Sequence, residues 1–138
     1  MRATASATVA APVDRVWALL ADHEAMAAWA PGLQVSVIRP GSPDRNGVGA
    51  QRRIQPAPLL PAFVEEVTAF EPQQRLAYRA VAGIPFRNYV GEVTLRADGA
   101  RTAIDYTVSA DNNLPAVASV MAHGLLFALK RQIKKESR

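Results

Sequence analysis

The chain has no cysteine and only two histidines, His23 and His123, among its 138 residues. The missing cysteines remove disulfide staples, thiolate nucleophiles and thiolate-held metal, and they fit a reducing cytoplasm. Two histidines without a His-Glu-x-x-His spacing are too few for the usual zinc sites, so no metal or other cofactor is expected. None of the serines stands in a Gly-x-Ser-x-Gly elbow, which argues against a serine nucleophile. No phosphate-cradling glycine loop is present either, since Gly47-Val48-Gly49 follows a turn and leads into a strand. Long apolar runs are also absent. The best, Leu114 to Leu129, is interrupted by Pro115, Ser119 and His123 and is too short to span a bilayer. Met1 to Ser6 has no apolar core, so no signal peptide and no stable membrane insertion are expected, and a cytoplasmic location is.

What is present describes an ordinary globular chain, 49% hydrophobic and 20% charged, suited to one domain over residues 1–138. The net charge of +4 suggests nucleic acid only until it is located. Lys130, Arg131, Lys134, Lys135 and Arg138 lie at one helix end with Glu136, and the preceding residues carry 11 charges of each sign. Cations there complement the helix dipole, and no basic face with stacking aromatics accompanies them. Nucleic acid is therefore not an expected partner.

Periodicity orders the elements. Arg2 to Ala10 alternates as a strand whose inner residues, Ala3, Ala5, Ala7 and Val9, are mostly small. Pro12 opens a helix with Val13, Val16, Trp17 and Leu20 on one face, and Asp22 caps a second short helix, His23 to Ala30, ended by Pro31-Gly32. Six strands follow, at Leu33–Arg39, Val48–Gln55, Phe63–Phe70, Arg75–Ala82, Phe86–Arg96 and Arg101–Ser109, with turn residues or prolines between them. After Asp111-Asn112-Asn113 comes a helix of about 20 residues. Strands joined by short turns make an antiparallel sheet, which the long helix can cover. On that helix Val117, Met121, Leu125, Ala128 and Leu129 project to one side, and Ser119, His123, Lys130 and Lys134 to the other. This places His123 in solvent.

Several segments in order carry a resemblance. Ala11 to Asp22, Trp29-Ala30-Pro31, Gly47 to Arg52, Glu66 to Pro72, Leu76-Ala77-Tyr78, and Gly99 through Thr102 to Tyr106 resemble the single-domain START-like proteins. More narrowly, they are similar to the polyketide cyclase/dehydrase-like branch of the helix-grip (SRPBCC) superfamily. The resemblance implies an α+β fold, a curved seven-stranded antiparallel sheet around a long C-terminal helix in the order β-α-α-β6-α. It also implies a cavity between sheet and helix. The families on this fold differ in function, so activity must be argued from the site.

Glu65-Glu66 cannot act jointly on one atom, because strand neighbours point to opposite faces. Glu66 matches the family motif, and it would pair with Arg52 if the two share a face. Tyr89 aligns with Val93 and Leu95, Tyr106 with Ile104 and Val108, and Tyr78 with Leu76 and Ala80, which places all three tyrosines on the apolar side. Trp17 is expected to pack and Trp29 to line the cavity. The candidate ligand-binding set is thus Trp29, Arg52, Glu66, Tyr78, Tyr89, Tyr106, Met121 and Leu125, with no catalytic residue assigned. The segments Pro56 to Pro61 and Gly83-Ile84-Pro85 are apolar for loops and would form a gate or a partner-binding rim.

Three readings follow. The first is binding of a small hydrophobic lipid- or polyketide-like molecule in the cavity. In the second, an enzyme folds a poly-carbonyl chain there, with Arg52 steadying an enolate oxygen and a tyrosine or Glu66 moving protons. In the third, Val120, Leu126 and Phe127 make a ligand-free homodimer.

Overall fold

The computed structural model describes residues 1–30, 32–56 and 60–136. Strand β1 (Arg2–Val9) leads to helix α1 (Val13–Ala21), a 3-10 turn (His23–Ala25) and the short helix α2 (Met26–Trp29). Strands β2 (Gln34–Arg39), β3 (Gln51–Gln55), β4 (Phe63–Glu71), β5 (Arg75–Ala82), β6 (Val90–Asp98) and β7 (Arg101–Ser109) follow, then helix α3 (Pro115–Glu136). The seven strands form one antiparallel sheet in the order β1-β7-β6-β5-β4-β3-β2. This is the expected helix-grip α+β arrangement. Register shifts between Val37 and Arg39, Val64 and Glu65, and Val67 and Ala69 interrupt the ladder, and such bulges bend a sheet and raise its twist.

The strand alternation holds closely. Ala5 and Val9 of β1, Ile54 of β3, Val67 and Ala69 of β4, Val93 and Leu95 of β6, and Ile104, Tyr106 and Val108 of β7 are buried. Asp22 accepts from the Ala25 N–H, so the predicted cap forms at the 3-10 turn. Pro31 lies outside the described residues, but Gly32 takes the left-handed φ of +91° that ends such a helix.

Three boundaries differ. Helix 23–30 is split into the 3-10 turn and α2. The third strand begins at Gln51 rather than Val48, because Gly49 turns at φ +90° and the Ala50 N–H bonds the Gly47 carbonyl. The sixth strand begins at Val90 rather than Phe86. Backbone groups of Arg87 that would have joined a ladder are taken instead by the Asp111 N–H and the Asn112 side chain.

Helix α3 packs on β1 and β7, rotated from the face expected. Ala118, Ala122, Leu126, Leu129 and Ile133 are buried, while Met121 and Leu125 are half-buried at the margin. The expectation followed the large apolar side chains. The buried face includes the small Ala118 and Ala122 rather than Met121 and Leu125, on a helix that packs on β1 and β7. Leu126, expected on an outer flank, is therefore core, whereas Val120 and Phe127 are 72% and 68% exposed. His123 is exposed, as the projection placed it.

Candidate functional site

The concave face of the sheet holds a polar cluster in an otherwise apolar core. Arg52 comes from β3, where it shares its side with Ile54. Glu65 comes from β4, where it shares its side with Val67 and Ala69. The two are direct partners across the ladder, and each is only 3% exposed. Arg52 donates from Nε to Glu65 Oε1 at 3.0 Å and reaches the same oxygen from a terminal nitrogen at 2.8 Å. No described residue donates to Glu65 Oε2.

The third Arg52 nitrogen points at His23 Nδ1, 3.3 Å away. His23 Nε2 lies 2.7 Å from the Asn46 carbonyl, which can only accept. The imidazole therefore carries its proton on Nε2 and offers the Nδ1 lone pair to Arg52. Burial, followed by the Arg52 charge, lowers the His23 pKa to about 4, so it is neutral at pH 7. Burial also pushes the Glu65 carboxyl up, with Arg52 opposing. Burial works against the Arg52 charge, but Glu65, with Tyr78 and Tyr106 adding to it, outweighs burial and raises the Arg52 pKa.

Tyrosines complete the cluster. The Arg52 guanidinium sits 4.6 Å from the centre of the Tyr78 ring, a cation–π contact in a desolvated place. The Tyr78 and Tyr106 hydroxyls share a hydrogen bond of 2.9 Å, and Tyr89 is near enough for Tyr78 to ease its proton loss slightly. Burial dominates for all three and pushes their pKa values up, that of Tyr106 to about 12, so they are protonated donors at neutral pH. Gly91, paired with Tyr78 across β5 and β6, makes this possible, because a Cβ there would fall on the Tyr78 ring. Gly83, just after β5, lies close to Ala62 and Phe63 at the start of β4, where the β4–β5 ladder ends. Residues 57–59 of the Pro56 to Pro61 segment lie outside the described residues.

The sequence-predicted residues divide. Arg52, Tyr78, Tyr89 and Tyr106 come together. Glu66 does not join them. It lies on the opposite face of β4, bonded by Arg79 at 2.8 Å and Gln51 at 3.1 Å, and the pairing expected for it is made by Glu65. Those two bonds, Arg79 first, lower the Glu66 pKa. Trp29 is buried and its Nε1 has no hydrogen-bond partner among the described residues. Met121 and Leu125 stay at the helix margin. Sequence reasoning missed Glu65 and His23. Alternation with Val67 and Ala69 would have found Glu65, but nothing local marks His23, whose partner Asn46 is 23 residues away.

Two pockets lined by described residues lie apart from this cluster. A groove of about 580 Å³ runs between the end of β1 and the last turns of α3, and a dent of about 40 Å³ lies by Trp29 and Ala128. Arg52, Glu65 and the tyrosines line neither. Arg52, Glu65, Tyr78, Tyr89 and Tyr106 are all buried. Among the described residues no group of His, Asp and Glu is placed to hold a metal ion, and no helix is long and apolar enough to cross a membrane.

Comparison with known proteins agrees with this architecture. The family described as polyketide cyclase / dehydrase and lipid transport matches residues 1–135. No curated protein matches significantly. Among solved structures, a protein of Nitrosospira multiformis is 24% identical with a TM-score of 0.78, covering 100% of this chain and 99% of its own. A START superfamily protein from Mycobacterium smegmatis is 15% identical with a TM-score of 0.79, and 97% of each chain is covered. The Zhui aromatase/cyclase from Streptomyces sp. R1128 is 21% identical with a TM-score of 0.73, covering 100% of this chain and 96% of its own.

Proposed function

Because the chain belongs to the polyketide cyclase / dehydrase and lipid transport family, we propose that it binds a small, largely apolar molecule against the concave face of the sheet, anchored by a carbonyl or hydroxyl group. The observation that carries this reading is the buried Arg52–Glu65 pair with Tyr78 stacked on it. A buried ion pair adds little net stability over apolar residues of the same size, so stability alone gives little reason for it. One carboxylate oxygen of that pair, Glu65 Oε2, accepts from no described residue and can take a donor from a ligand.

Prodan, a fluorescent naphthalene ketone, tests this. The wild-type protein is expected to bind it with a blue shift, and the double variant Arg52→Met/Glu65→Leu, which keeps the volume and loses the polar anchor, to bind it at least about tenfold more weakly. Equal binding by both proteins, or none by the wild type, overturns the reading.

A second reading rests on the same cluster. Protonated Tyr78 and Tyr106 beside a fixed guanidinium could donate to, and hold, an enolate oxygen while a poly-carbonyl chain closes by aldol condensation. Turnover of such a chain to a product lighter by one water separates catalysis from binding.

A further inference from the structure

The groove between β1 and α3 belongs to neither reading. Its floor is apolar, formed by Thr8–Ala10 from the end of β1 and by Phe127 and Ile133 of α3. Its rim is cationic, with Lys130, Arg131 and Lys134 on successive turns of the helix. None of these three makes an ion pair with a described residue, and Glu136, the acid beside them in sequence, is turned to Arg15 at 4.0 Å. The volume of about 580 Å³ is within the range of small-molecule sites. In sequence, residues 130–138 carry the whole positive excess of the chain.

We propose that this groove is a second, surface binding site for a single-chain anionic amphiphile, whose alkyl chain lies on the Val9–Phe127 floor and whose acidic head meets Lys130, Arg131 and Lys134. Charge complementarity decides the occupant. A second copy docked here about a two-fold axis would set the cationic rim against itself, a repulsive arrangement. A neutral apolar molecule would leave three cations beside it without counter-charge. An extended nucleic-acid backbone would satisfy the cations but not cover the apolar floor, on which Phe127 is 68% exposed. A carboxylate or sulfate on an alkyl chain satisfies both surfaces.

Decanoate and decanol, titrated below their aggregation limits into the full chain and followed by backbone amide NMR, make the test. Decanoate is expected to shift the amides of residues 8–10 and 127–134, and decanol to bind about tenfold more weakly. The triple variant Lys130→Glu/Arg131→Glu/Lys134→Glu is expected to weaken decanoate about tenfold or more, and to bind decanol as the wild type does. Ala10→Trp, which fills the floor and leaves the rim untouched, should weaken both ligands. The double variant Arg52→Met/Glu65→Leu should leave decanoate binding in the groove unchanged, so failure of the interior reading is told apart from failure of this one. Equal binding of decanol and decanoate overturns the proposal. So do shifts confined to the concave face, and so does the absence of any shift in the groove.

Discussion

Glu65 and Glu66 are neighbours on one strand and end in opposite worlds. Glu65 faces the core and meets Arg52 with both side chains almost fully buried, while Glu66 faces outward and meets Arg79, whose side chain is 59% exposed. The contacts are of equal length, 2.8 Å in each pair. Distance therefore says little about what each pair contributes. Water around Arg79 screens its charge and offers an alternative partner, whereas nothing replaces a lost partner in the core. The inner pair makes its members depend on one another, and the outer pair makes little demand on either.

Breaking one member of the inner pair should therefore have the largest effect. Arg52→Met or Glu65→Leu alone strands a buried charge and is expected to cost about 3–5 kcal/mol in urea denaturation, whereas the double variant should regain most of that loss. Additive losses in the double variant would show that the pair is not coupled, and the contrast between the faces would fail.

His23 sharpens the same contrast through pH. Its pKa is about 4 in the folded chain against 6.5 when free, so the unfolded chain takes up a proton first as pH falls. Stability from keeping His23 neutral is complete above pH 6.5 and is lost progressively between pH 6.5 and 4, by about 3 kcal/mol. His23→Gln can keep both contacts, donating to the Asn46 carbonyl and accepting from Arg52, without titrating. The stability gap between wild type and this variant is expected to move by about that amount across the window. A gap that stays constant from pH 7 to 4 would mean that His23 is not held neutral.

These two tests fall on residues of unequal legibility. Strand positions, strand parity and the inward tyrosines could be read because period-two alternation is local. The same alternation marked Glu65 as inward through Val67 and Ala69, but motif matching drew attention to Glu66 instead. His23 was illegible because its role depends on Asn46 and Arg52, brought to it only by the fold. The α3 face was misjudged by one residue step for a different reason. The buried face of α3 includes the small Ala118 and Ala122, whereas large side chains dominate any reading of apolar periodicity. The groove was invisible too, since it joins the end of β1 to a helix more than a hundred residues later.

The smallest effect belongs to the outer pair. Arg79 and Gln51 hold the Glu66 carboxylate below its usual pKa, so whatever stability it adds is present above pH 4.5 and lost as pH falls further. Glu66→Gln removes the charge and keeps one acceptor oxygen, which can still serve Arg79. It is expected to change stability by no more than about 1 kcal/mol at low salt and to have no measurable effect in 1 M salt, where exposed charges are screened. A loss as large as that of Glu65→Leu would mean that β4 does not divide its two carboxylates between water and core, because two such pairs can differ so widely only if one of them keeps its solvent.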